Sequence, residues 1–185
     1  MKYLPILLLL FIFSCKKNES PQRTLTELEK LPPETQIGAN TFGCLINGKA
    51  WRPSGSRGGK PNFYIIVDPG WAEGNISIRT YRVGGGIVES FAINSDSIKN
   101  TGLFTILDNG KTQTIFAKEA SDGTDFICGI FYGEEGHRSG WLKITKYDLA
   151  NKIVSGTFET SMINPLCGYG DTIKITHGRF DFRLY

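Results

Sequence analysis

Apolar and polar residues alternate along most of the chain from residue 41 to residue 185, with the period of two that is typical of β-strands. The last run is the clearest: Phe180 falls on the face opposite Asp181, after a bulge predicted near Gly178. Turn sequences such as Asn47-Gly48 separate the runs. About ten short strands with turns between them predict an all-β domain, either an antiparallel sandwich or an up-and-down, calycin-like barrel.

The first fifteen residues have the pattern of an export signal. Lys2 precedes an apolar run over residues 3–13, too short for a bilayer span, which needs roughly 20 residues. The end of the run, Ile12-Phe13-Ser14-Cys15, resembles the lipobox of bacterial lipoproteins. The resemblance implies cleavage before Cys15, acyl chains on its thiol and the membrane as a partner through that lipid. The alternative is an uncleaved anchor helix.

The segment after Cys15 is polar, charged and rich in proline. Such a composition buries too little apolar surface to offset chain entropy. The sequence therefore predicts a signal peptide over residues 1–14, a lipid-anchored flexible tether over residues 15–40 and one all-β domain over residues 41–185.

Composition and charge narrow the function classes. The chain has 185 residues, 40% of them hydrophobic and 21% charged, with a net charge of +3 and two histidines. This charge, without a block of Lys or Arg, argues against a nucleic-acid partner. His137 lies beside Glu134 and Glu135, a set that fits a polar hairpin tip better than a metal site. No G-x-S-x-G motif occurs and neither histidine has a recognisable triad context, so we expect no catalytic residue. We also expect no metal and no cofactor.

With Cys15 assigned to the lipid, three cysteines remain for the domain: Cys44, Cys128 and Cys167. An exported protein encounters oxidising conditions, so we expect one disulfide and one free thiol. Three pairings are possible, and Cys44 with Cys167 is favoured because first and last strands of closed sheets are often neighbours. The alternative is three free, buried thiols.

Two further groups of residues are candidates for surface chemistry. Trp51, Trp71 and Trp141 stand beside loops or strand ends, where an indole can stack on a sugar or anchor a protein partner. The alternative is that they close the ends of the core. Ser97 and Thr172 lie in Asp-Ser/Thr-aliphatic triplets that resemble the O-glycosylation motif of exported Bacteroidota proteins.

Three segments carry a wider resemblance: TFGCLINGKAW at residues 41–51, SGTF at 155–158 and GRFD at 178–181. Together they resemble a family of small Bacteroidota lipoproteins that share a domain of unknown function. The resemblance implies a lipid-anchored protein of the cell envelope, expected at the outer membrane, with an all-β fold. It implies no catalytic residues.

These observations favour a non-enzymatic binding or accessory module that contacts an envelope protein or a glycan. The alternative is a small-ligand carrier, which requires a cavity inside a calycin-like barrel. A hydrolase is the third possibility and requires a carboxylate pair or His137 in a cleft.

Overall fold

Ten β-strands form one large sheet in the computed structural model, which describes residues 23–107, 110–122, 138–163 and 172–185. This confirms the all-β prediction. No helix in those ranges is long and apolar enough to cross a membrane. Residues 126–132, an apolar run that the same alternation predicts to be a strand, lie outside the described residues. The strands are β1 Thr41–Ile46, β2 Lys49–Trp51, β3 Phe63–Asp68, β4 Asn75–Gly84, β5 Ile87–Asp96, β6 Gly102–Leu107, β7 Thr112–Ala120, β8 Arg138–Asp148, β9 Ile153–Ile163 and β10 Thr172–Arg183.

The order across the sheet is β2-β1-β10-β9-β8-β6-β7-β5-β4-β3. Neighbouring strands are antiparallel except at β6 and β7, where Ile106 and Thr112 form a parallel pair. The first long strand, β1, pairs with the last strand, β10, as expected from the sequence. The Asn47-Gly48 turn has positive φ at both residues, which is the conformation of the predicted hairpin.

The sheet rolls up so that its two edges approach each other. Phe63 of edge strand β3 packs with ring centroids 5.4 Å from Phe42 of β1 and 4.9 Å from Phe182 of β10. Ser54, just beyond the other edge strand, forms an isolated bridge with Arg82 of β4. The result is a rolled sheet that is not closed by a continuous ladder.

The inner face of the rolled sheet is filled with side chains. Phe91 and Phe158 stack with their centroids 5.4 Å apart, and Phe42 packs against both at 6.0 and 5.5 Å. These rings belong to one continuous cluster of buried residues that draws on nine of the ten strands. Ring-to-ring packing of this kind leaves the centre of the interior occupied.

Two glycines make this packing possible. A Cβ at Gly156 would lie 2.4 Å from the carbonyl oxygen of Lys143 and 2.7 Å from the ring of Phe180. A Cβ at Gly178 would lie 2.4 Å from the ring of Phe158. The SGTF and GRFD segments therefore contain glycines because aromatic rings and a neighbouring strand occupy the space of a side chain.

Residues 31–39, which we call the strap, lie against the outer face of β1 and β10. Leu31 and Pro32 are buried, and both lie over Gly43 of β1. The buried carboxylate of Asp181 in β10 accepts hydrogen bonds from the strap, donated by Thr35 Oγ1 and the backbone N–H groups of Ile37, Gly38 and Ala39. The prediction of a flexible tether over residues 15–40 is therefore wrong for residues 31–39, because these bonds hold the strap on the domain.

Candidate functional site

The three tryptophans predicted to stack on a ligand are not brought together. Trp51 is 1% exposed and donates its indole N–H to the Glu89 carboxylate at 2.9 Å, while the Arg82 guanidinium lies 5.7 Å from its ring centre. It closes one end of the core, as the alternative stated for the tryptophans has it, and it does not offer its ring to a ligand. Trp71, in the turn between β3 and β4, is 67% exposed. Trp141 lies in the middle of the sheet, on β8.

Trp141 lines a shallow depression of about 220 Å³ on the outward side of β8, β9 and β10. Glu159 and Lys174 lie along the same depression. It presents one half-buried indole and charges of both signs, so it offers a contact surface without a strong preference for ligand charge.

A larger cavity lies on the outward side of β3, β4, β5 and β7, and we call it the outer groove. The strand register places Tyr64, Arg79, Ala92 and Ile115 side by side in one row across these four strands. The cavity measures about 430 Å³, within the range of small-ligand sites. Because the row lies on regular strands, its side chains are held in a fixed arrangement.

The loop after β2 forms one wall of the outer groove, and Tyr81 of β4 fixes it there. The Tyr81 hydroxyl donates to the carbonyl oxygen of Lys60 at 2.5 Å and accepts from the backbone N–H of Arg57 at 3.1 Å. Within the loop, Asn62 Nδ2 donates to the carbonyl oxygen of Gly55 at 3.1 Å. These bonds fix the backbone of the loop beside Tyr81, and Arg57 and Lys60 of the loop line the groove.

The charge of the outer groove has one sign. Arg57, Lys60 and Arg79 line it, and none of its described lining residues carries a carboxylate. Arg57 is paired outside the groove with Glu119. Among the described residues, no acidic side chain lies within ion-pair distance of Lys60 or Arg79. Lys60 and Arg79 therefore line the cavity with no acidic partner in the part of the chain that the structure describes.

Hydrogen bonds on the floor of the groove determine which polar groups can donate to a ligand. Arg79 Nε donates to the hydroxyl of Ser77 at 3.2 Å, and that hydroxyl donates to Asn94 Oδ1 at 2.8 Å. With its oxygen occupied, Asn94 has its amide Nδ2 to offer. The floor therefore presents donors to a ligand.

A second charged group lies on the inner face, where Arg82, Glu89 and Lys118 stand side by side on β4, β5 and β7. Burial alone would raise the pKa of Glu89, but the hydrogen bonds from Trp51 and Arg82 outweigh it and lower the pKa below its usual value. Lys118 lies 3.4 Å from the same carboxylate. These partners satisfy Glu89, so the group seals the end of the core rather than offering a free charge.

The predicted disulfide involves one described residue. Cys44 is fully buried and free, and burial raises the pKa of its thiol well above its usual range. Cys167, like Cys15 and Cys128, lies outside the described residues.

The remaining predicted sites stay predictions. Ser97 lies in a turn with a φ of 62°, and its hydroxyl accepts from Lys111 Nζ at 2.7 Å. Thr172 is the first residue of β10. His137 lies outside the described residues, among which no group of three His, Cys, Asp or Glu side chains could hold a metal ion.

Comparisons with known proteins leave the function to be inferred from these residues. The chain matches no family model, no curated protein and no solved structure. The outer groove, which the sequence did not single out, combines a cavity of about 430 Å³ with tyrosine rings and side-chain charge of one sign among its described lining residues.

Proposed function

We propose that this chain is a lipid-anchored, non-enzymatic binding module of the cell envelope and that its outer groove holds a glycan. The observation that carries the proposal is the row formed by Tyr64, Arg79 and Ala92 beneath the fixed loop. The membrane attachment rests on the lipobox at Cys15, and two or three acyl chains there would anchor the protein stably.

The chemistry of the groove suits a sugar. Tyr64 is half-buried at the edge of the cavity, so part of its ring can pack against the apolar face of a pyranose. Ser90, Asn94 and Arg79 supply hydrogen-bonding groups for ring hydroxyls. A few fixed polar groups beside an aromatic wall are the usual composition of a small-ligand site.

The carrier alternative has less support because the phenylalanine rings of the core occupy the centre of the rolled sheet. A calycin-like carrier needs that space for its ligand. A protein partner is the second candidate, favoured by Trp71, whose indole is 67% exposed in the turn between β3 and β4.

A glycan array probed with the full chain in detergent tests the proposal. We expect binding to a defined group of glycans and a loss of about fivefold in affinity for Tyr64→Ala, since stacking on one ring contributes about 1 kcal/mol. Trp141→Ala is the matched control, because it removes an aromatic ring from the other depression. Absence of glycan binding, or an effect of Trp141→Ala alone, would contradict the proposal.

A further inference from the structure

We infer that the glycan held in the outer groove is acidic, with a carboxylate or sulfate group on the sugar bound by Arg79 and Lys60. This inference rests on the proposed glycan-binding function and adds the class of ligand. Both cations line the cavity, and within the described chain neither has a carboxylate in ion-pair distance. An anionic ligand would supply a counter-charge that the described residues around the cavity do not.

The guanidinium of Arg79 is oriented for such a ligand. Its Nε is engaged by Ser77, a buried hydroxyl, at 3.2 Å. No hydrogen bond to a described residue occupies Nη1 or Nη2. Two parallel N–H donors on a planar group match the two oxygens of a carboxylate, and a charge-assisted bidentate pair is stronger than a neutral hydrogen bond.

The hydrogen-bond chain through Ser77 leaves an amide donor facing the cavity. Because Ser77 accepts from Arg79 and donates to Asn94 Oδ1, the Asn94 amide nitrogen is left to donate. Arg79, Asn94 and Lys60 all offer hydrogens to the cavity, and a ligand with several acceptor oxygens satisfies all three. Carboxylates and sulfates have such oxygens and carry the complementary charge.

The apolar part of the cavity indicates a ring bearing the anion rather than a small free anion. Ile115 is 37% exposed at one end of the row, and Tyr64 lies at the other end. Arg79 and Ala92 lie between them. A sugar with a charged substituent can therefore place its ring on apolar side chains while its anion reaches the guanidinium.

Calorimetry with the full chain in detergent tests the inference, using a galacturonate hexamer, the same hexamer with methyl-esterified carboxyl groups, and a sulfated oligosaccharide. We expect the free acid to bind at least tenfold more tightly than the ester, with an affinity that falls as salt rises. Arg79→Gln should abolish this preference. Lys143→Gln, which removes an exposed cation on β8, should leave it unchanged, and both variants should retain the thermal midpoint of the parent.

The outcomes distinguish failure of the acidic-ligand inference from failure of the proposed glycan binding. Equal binding of acid and ester overturns the acidic-ligand inference and leaves the glycan-binding proposal standing. Binding of the sulfated probe alone, lost in Arg79→Gln, supports the inference and assigns the anion as a sulfate. Binding of none of the three probes, together with an array that shows only neutral glycans, overturns the inference. Binding to no glycan on either assay overturns the proposed function as well.

Discussion

Replacing Asp181 with asparagine should release the strap and destabilise the domain. The Asp181 side chain is 1% exposed, and its two oxygens accept five hydrogen bonds. Four come from the strap, and the fifth comes from Ser155 Oγ at 2.7 Å. Asparagine keeps the shape but replaces one acceptor oxygen with a donor, which then faces groups that also donate.

The size of the effect follows from the pKa of Asp181. Burial alone would raise this pKa, but the hydrogen bonds from Thr35, Ser155 and the strap N–H groups lower it from 3.8 to about 2. At 1.36 kcal/mol for each pKa unit, the ionised carboxyl stabilises the folded state by about 2 kcal/mol. A carboxyl with a lowered folded pKa contributes this stability above about pH 4 and loses it as the pH falls toward 2.

Urea unfolding followed by tryptophan fluorescence measures the loss. With a slope of about 2 kcal/mol/M, Asp181→Asn should lower the midpoint by about 1 M at pH 7. The difference between parent and variant should shrink between pH 4 and pH 2. Hydrogen exchange should speed up at the amides of Ile37, Gly38 and Ala39, which donate to Asp181.

Asp148→Asn is the matched control. The pKa of Asp148 is also lowered to about 2, first of all by the hydrogen bonds from Asn151. These bonds lie within one hairpin turn, and the Asp148 side chain is partly exposed, whereas that of Asp181 is 1% exposed. Solvent screens the interactions of Asp148, so its lowered pKa does not correspond to the stability assigned to Asp181. We therefore expect little change in the midpoint and none in strap exchange. An unchanged midpoint for Asp181→Asn, or an equal effect of the control, would refute the assignment of Asp181 as the residue that holds the strap.

Two further predictions follow from the core. Gly156→Ala should destabilise the domain by about 2 kcal/mol, because the new methyl group overlaps the Lys143 carbonyl oxygen and the Phe180 ring; Gly84→Ala, where a Cβ meets nothing within 4 Å, is the control in thermal melts. Cys44 should resist iodoacetamide in the native chain and become alkylated in urea without a reductant, as mass spectrometry would detect. Labelling of the native thiol would contradict its burial, and protection in urea would contradict a free thiol.

Local features of the fold could be predicted from sequence because neighbouring residues determine them. The Asn47-Gly48 turn has φ values of 48° and 76°, and the bulge falls between Ile175 and Gly178 as the pattern indicates. The strap could not be predicted in this way. Its polar composition resembles a tether, and its binding partner Asp181 lies more than 140 residues away.

The outer groove was missed for a related reason. Tyr64, Arg79 and Ala92 lie on three strands and become neighbours only through the register between those strands. The sequence left two roles open for Trp51 because it stands next to a loop, and its cross-strand partner, the buried Cys44, shows that it belongs to the core. The strand face on which a residue lies therefore predicts its burial better than its distance from a turn does.

Binding of an acidic glycan in the outer groove is tested most directly by a nuclear magnetic resonance titration. The ¹⁵N-labelled full chain in detergent would be titrated with the galacturonate hexamer. We expect saturable amide shifts that cluster at Tyr64, Arg79 and Asn94, the residues that line the groove. Shifts centred on Trp141, or shifts that do not saturate, would contradict the account.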